Sequence, residues 1–396
     1  MKIWSRRMVL AAAAIALAFA VNVAISKRAA AQATASKSEA AAAMSGTKTA
    51  GQVFKNVTTS TLKGISVDDF MGSMGVMAAA LGYDCSDCHT GAGTDKVDWV
   101  VDTPRKKIAR KMVEMVAVIN RDNFGGAPMV SCWTCHHGKD IPATTIALDH
   151  LYGPPNDEKD DIITQDPDAP PATQILDKYI AALGGAEKLA TLKSYIATGT
   201  QAGYVQVKGG GKFELYAQAP DERTLHIFFP DAPDRGNQTR AFDGTTGWVT
   251  TPRALLGEYK VTGTELDGLH VDAELAFPGQ IKNVLTNLHV GYPDTVNDKE
   301  VKVVQGRGPR GILVTLYFDK ESGLLVREIR FGRSPIGRVP VQSDYSDYRE
   351  VNGIKFPFQY KLSWLDGRDT YEITDVKVNA PINSKVFGQP SMNGAQ

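Results

Sequence analysis

Three features predict the fold class, an α + β protein of two domains. Residues 51–150 place apolar side chains at helical spacing. Residues 173–396 switch to strand-like alternation broken by tight turns. Between them, residues 151–172 carry Pro154, Pro155, Pro167, Pro170 and Pro171 among acidic residues, which reads as a linker. A small all-α domain is thus expected to precede one large antiparallel β domain.

Composition bounds the function. The chain has 396 residues, 43% hydrophobic and 22% charged, enough for two domains. Lys plus Arg and Asp plus Glu are both 44, so the formal charge is zero, which excludes a strongly basic nucleic-acid binder. One long apolar run exists, so a multi-span membrane protein is excluded.

That run is Met8 to Ile25, behind Lys2, Arg6 and Arg7. A charged segment followed by an apolar one is the pattern of export. Ala29–Ala31 offers a cleavage site, but Lys27 and Arg28 stand before it. Residues 1–31 are a cleaved signal or a single N-terminal membrane anchor, and either places the rest outside the cytoplasm: periplasmic, and tethered to the inner membrane if uncleaved. Removal of the five basic groups in 1–31 leaves a net charge of −5. Residues 32–50, rich in Ala, Ser, Thr and Lys, read as a disordered spacer.

The α domain holds a repeat. Ser66 reads as a helix cap with Asp69 completing a capping box, then Phe70, Met74, Met77 and Leu81 share one helix face and Gly82 closes it. Thr103-Pro104 opens the second copy, in which Ile108, Met112, Met115 and Ile119 keep the spacing. Each helix leads to a Cys-x-x-Cys-His unit: Cys85, Cys88, His89 and Cys132, Cys135, His136.

This is the attachment pattern of c-type haem. Two thiols spaced by two residues add to the vinyl groups of one haem, and the next imidazole is placed to ligate the iron. Disulfides, zinc or a redox dithiol would explain the cysteines but not the histidines. With 7 His in the chain, chance puts one after a given pair only about 2% of the time. Two c-type haems are expected, on Cys85/Cys88 and Cys132/Cys135, with His89 and His136 as proximal ligands. The sixth ligand separates an electron carrier from a haem enzyme. Each helix offers two methionines in equivalent positions, Met74 with Met112 and Met77 with Met115. The helices alone do not choose between the pairs.

The segment 53–142 resembles the photosynthetic reaction-centre cytochrome c subunit family. The matching text is Phe54-Lys-Asn-Val57, Phe70-Met-Gly-Ser-Met74, Leu81-Gly82, the first Cys-x-x-Cys-His, Ala109-Arg-Lys-Met-Val-Glu-Met115, Ile119-Asn120, and Cys132-Trp-Thr-Cys-His136 with Gly138. The resemblance implies a multihaem cytochrome domain with Met74 and Met112 as distal iron ligands, and it leaves Met77 and Met115 as core. The photosynthetic subunit usually carries four such units and a lipid-anchored cysteine. This chain carries two units, has no such cysteine, and has His137 where Arg is common. The resemblance therefore implies electron transfer, not a particular partner. His150 is an alternative distal ligand. His137, His226, His270 and His289 read as surface or core positions, the last three without clustered carboxylates.

In the β domain, Thr173–Leu183 reads as an amphipathic helix closed by Gly184-Gly185, and Val314, Leu316 and Phe318 alternate with Thr315 and Tyr317. Asp243-Gly244 and Asn352-Gly353 are hairpin dipeptides. Gly209–Gly211 reads as a turn, and no catalytic motif is present. The phrases Phe242-Asp-Gly-Thr-Thr-Gly-Trp248, Tyr317–Arg327 and Asp347–Phe358 resemble LolA-like lipoprotein-sorting proteins. That resemblance implies an antiparallel half-barrel with a helix across its mouth, able to hold an apolar ligand. The leading expectation is a dihaem electron carrier with a redox protein partner. The alternatives are a peroxidase-like dihaem enzyme with one open iron, and a lipid or lipoprotein binder with a redox-sensing haem domain.

Overall fold

The structure is a computed structural model and describes residues 48–94, 96–145, 161–203, 210–233, 236–251 and 257–390. The N-terminal apolar segment, nearly all of the expected spacer, His150, residues 151–160 of the linker and Gly209 lie outside the described residues. From Thr49 onward the chain forms one compact unit. Among the described residues no helix is long and apolar enough to cross a membrane.

The helical part runs α1 Ala50–Val53, α2 Ser60–Lys63, α3 Val67–Leu81, α4 Cys85–Cys88, α5 Pro104–Phe124 and α6 Cys132–His136. The punctuation follows the sequence. The Ser66 hydroxyl accepts the Asp69 amide at 3.0 Å, and Gly82 ends α3 at φ 66°. Thr103 caps α5, with Pro104 at its first position. One detail differs. The Asp69 carboxylate does not complete a reciprocal box but accepts the Thr264 hydroxyl at 3.0 Å, so it ties α3 to the β part.

The β part opens with α7 Ala172–Ala182 and α8 Ala186–Ala190. Six strands follow: β1 Ser194–Gly203, β2 Gly211–Gln218, β3 Glu222–Phe228, β4 Gln238–Asp243, β5 Gly247–Thr251 and β6 Gly257–Val261. Then come α9 Gly263–Leu275 and α10 Ile281–Val284. The chain ends in β7 Thr286–Val290, β8 Asp294–Val296, β9 Lys299–Arg307, β10 Leu313–Asp319, β11 Leu325–Ser334, β12 Gly337–Val351, β13 Ile354–Trp364 and β14 Gly367–Val378.

All described pairings are antiparallel, in the order β6-β5-β4-β3-β2-β1-β14-β13-β12-β11-β10-β9-β7, with β8 beside β9. This is the large antiparallel sheet the alternation predicts, open at β6 and β7. Asn352 and Gly353, both at positive φ, turn β12 into β13. Asp243 accepts the Thr245 and Thr246 amides at 2.9 and 2.6 Å to turn β4 into β5.

One face of the sheet packs on the helices. Leu176 and Tyr179 of α7 and Val271 of α9 join Phe213, Val314 and Phe318 in the main core. β10 is buried on its other face too, where Tyr317 packs with Val296, Val301 and Val303. A central strand covered on both sides is buried along nearly its whole length.

The helical and β parts share a second core. The two-residue turn between β11 and β12 inserts Ile336, fully buried, among Leu62, Val76, Val113 and Val116. The Ile336 carbonyl accepts the Cys132 amide at 3.2 Å. Close approach needs small residues on α3. A Cβ on Gly72 would lie 3.0 Å from Val339, and one on Gly75 3.3 Å from Leu365.

Candidate functional site

The first Cys-x-x-Cys-His unit is a capped single turn. Asp84 accepts the Ser86 amide at 2.7 Å, and the Asp84 amide donates to Asp87 at 3.0 Å. Arg105, at the start of α5, donates to the Asp87 carbonyl and carboxylate, both at 2.8 Å, and its guanidinium lies over Tyr83. Thr103 donates to the Cys88 carbonyl at 3.1 Å. The motif is thus fastened to the N-terminus of the second repeat's helix.

Met74, Met77, Cys85, Cys88 and His89 line one cavity of 1480 Å³, walled also by Phe70, Leu81 and Trp99. The Trp99 ring meets His89 edge-on at 5.0 Å. Lys106 and Asn56 hold the Trp99 loop by its carbonyls. Burial, with Lys106 adding, lowers the His89 pKa to about 4, so the imidazole is neutral at neutral pH. His89 Nδ1 is buried with no hydrogen-bond partner among the described residues.

The second unit is capped by Ser131, whose hydroxyl accepts the Thr134 amide at 3.3 Å. His136 Nδ1 donates to the Lys139 carbonyl at 2.9 Å. That bond fixes the tautomer and leaves Nε2 to face a ligand, as metal-bound imidazoles require. Gly138 closes the turn; its amide donates to the Ala80 carbonyl at the end of α3. A Cβ on Gly82 would strike the Gly138 carbonyl, so the two repeats touch through glycines. Met112 is half-buried on α5.

The residues present fit a covalent haem at each motif. All four cysteines are free thiols, and burial pushes Cys132 up to about 11. Among the described residues no three Cys, His, Asp or Glu side chains converge on one point. The clearer sign is in the helices. On α3 the apolar stripe of Phe70, Met74, Met77 and Leu81 faces the cavity, while Ser73, Val76 and Ala80 are the buried residues. On α5 the buried residues are Lys106, Val113, Val116 and Asn120, and the stripe residues Ile108 and Met115 are 59% and 43% exposed. Trp133 and Met129 beside the second motif are also exposed. The exposed apolar stripe on α5 suits an apolar group laid against it. Met77 packs against the second core, as expected of a core residue. Met115 does not: α5 turns Val113 and Val116 inward instead, one position around the helix.

The bland readings of the other histidines hold in part. His226 bonds Thr239 at 2.9 Å within the sheet. His270 corrects the expectation of no clustered carboxylates. It lies 3.2 Å from Asp221, brought from the β2–β3 turn, and 3.7 Å from Glu274 one helical turn on.

Sequence reasoning expected an interior in the β part suited to an apolar ligand, and missed its charged and polar lining. The cavity extends along the sheet past Tyr195, Arg223, Arg330, Tyr345 and Tyr360. Arg330 is paired to Glu265 at 3.2 Å and to Asp272 at 3.3 Å. Burial raises the Glu265 carboxyl, but Arg330 and Arg240 more than offset this and hold it below the usual range. The available signal was Glu328-Ile-Arg330 in a strand, where alternation puts both charges on one face.

Residues 8–166 match the family described as photosynthetic reaction centre cytochrome C subunit. No curated protein matches the chain. Solved structures similar to it include a DUF1329 family protein from Desulfovibrio piger, at 10% identity and TM-score 0.39, covering 56% of this chain and 98% of that one. A LolA superfamily protein from Nitrosomonas europaea aligns at 14% identity and TM-score 0.37, covering 56% of this chain and 99% of that one.

Proposed function

We propose that the protein is an exported dihaem c-type cytochrome that transfers electrons to or from a redox protein partner. Cys85 and Cys88 with His89, and Cys132 and Cys135 with His136, would hold the two haems, and Met74 and Met112 would take the distal positions. The haems supply reversible one-electron iron chemistry. The chain's own residues bind them, orient the imidazoles and exclude water. Thioether ligation by Met74 and Met112 would raise the reduction potential and disfavour binding of small molecules. The observation that carries this reading is the convergence of Met74, Cys85, Cys88 and His89 on one cavity, together with the His136–Lys139 bond that presents Nε2 at the repeat of the same motif.

The body of the protein would work outside the cytoplasm, in the periplasm, where the signal or anchor in residues 1–31 delivers it. The test is intact mass with a pyridine haemochrome spectrum, on protein exported by a host that matures c-type cytochromes. Two covalent haems per chain are expected. A haem-free chain carrying zinc or two disulfides would overturn the reading.

A further inference from the structure

Where the cavity runs along the sheet, three buried side chains present polar atoms without hydrogen-bond partners among the described residues. They are Arg330 Nη2, Tyr360 Oη and Gln201 Oε1. The Arg330 side chain is 3% exposed, Tyr360 8% and Gln201 3%. The structure makes room for them. A Cβ on Gly268 of α9 would collide with the Arg330 guanidinium, and one on Gly211 would lie 2.9 Å from Gln201 Oε1. Burying such groups is costly, and an acyl chain would return none of that cost.

The charge of this interior selects against an anion. Along this stretch Arg223, Arg240 and Arg330 line the cavity together with Glu265, Asp272 and Asp369, so guanidiniums and carboxylates are equal in number there. A fatty-acid carboxylate or a phosphate would meet as many carboxylates as arginines. A neutral head with oxygen substituents would not. The walls favour a ring. Tyr360 and Tyr371 stack at 4.5 Å with their planes 7° apart, and both line the cavity. Leu192, Leu215, Leu225 and Ile227 add an apolar wall suited to a tail. At 1480 Å³ the cavity exceeds the roughly 300–1,000 Å³ of ordinary small-molecule sites, leaving space beyond what the motif end would take.

We propose that the half-barrel interior binds a neutral quinone-class molecule, an oxygen-substituted ring on an apolar tail, whose ring oxygens meet Arg330 Nη2 and the Tyr360 hydroxyl. The site opens into the same cavity as Met74 and His89. The proposal concerns binding and does not depend on the motifs carrying haem.

The test is calorimetric titration of the full-length protein with a benzoquinone bearing a ten-carbon tail, beside dodecanoate and phosphatidylglycerol vesicles. Saturable uptake of the quinone is expected, with dodecanoate and vesicles at least tenfold weaker. Tyr360→Phe removes only a hydroxyl without a partner, so its thermal midpoint should stay while quinone affinity falls about fivefold. Arg330→Lys keeps the charge but loses the planar fork, and should weaken binding further. The proposal is overturned by absent quinone uptake, by equal or tighter binding of dodecanoate or lipid, or by unchanged affinity in a folded Tyr360→Phe protein.

Discussion

At the residue scale, the proposed covalent and proximal positions rest on local chemistry: two thiols and an imidazole must be adjacent in sequence to meet one haem. The distal ligand is harder to read, since Met74 and Met77 both line the cavity with His89. Their environments differ, because Met77 also packs into the core around Val76 and Val113. Met74→Ala should therefore keep its haem attached yet open that iron, so that the reduced protein binds carbon monoxide at one site and its potential falls. Met77→Ala should keep a closed iron and lose stability by about 2–3 kcal/mol. Met112→Ala should open the other iron. Optical spectra of the three variants with and without carbon monoxide decide the matter, and an unchanged Met74→Ala spectrum would hand the role to another side chain. His270 shows the limit of local reading, as its neighbour Asp221 arrives from a distant turn.

At the scale of elements, helices and turns followed their punctuation. Ser66, Gly82, Thr103-Pro104, Asp243-Gly244 and Asn352-Gly353 each act within a few residues, so the sequence states them directly. The faces of those elements were less legible. Apolar periodicity marks which side avoids water, not whether a protein side chain or a prosthetic group covers it. On α3 and α5 the Met stripes and the buried residues lie on different faces. Nor does periodicity foretell an inserted turn. Ser334 holds the β11–β12 turn by donating to the Gly337 carbonyl at 2.8 Å, and Ile336 enters the helical core at its tip. Ile336→Ala should leave a cavity under α3 and α5 and cost about 2–5 kcal/mol; Ile336→Val should cost about 1 kcal/mol. Denaturant unfolding measures both. A cost below about 1 kcal/mol for the alanine variant would mean the turn only rests on the helices.

At the scale of the whole molecule, the two parts are joined by contacts that sequence periodicity does not encode, and their strength should depend on pH. Asp68 accepts the Thr262 amide at 2.8 Å and its hydroxyl at 3.1 Å, and Asp69 accepts the Thr264 amide and hydroxyl. These bonds fasten the helix that carries Met74 to the start of α9. Burial raises the Asp68 carboxyl to about 7, with Glu265 and Asp69 adding to the rise against the Thr262 bonds. The folded chain therefore holds this proton up to about pH 7, whereas an unfolded aspartate releases it near pH 3.8. Because the folded state binds the extra proton across that window, stability falls as pH rises from about 4 to about 7 and then levels. The full effect is at most about 4 kcal/mol at pH 8 and less where water reaches the carboxylate. Asp68→Asn keeps an acceptor for Thr262 without the charge. Its melting temperature should match wild type near pH 4 and exceed it near pH 8, so the difference between the two proteins isolates this group from the other carboxylates. Equal differences at both ends of the range would show that Asp68 binds its proton equally well folded and unfolded, and that the joint between the haem-motif helices and the sheet does not respond to pH through this group.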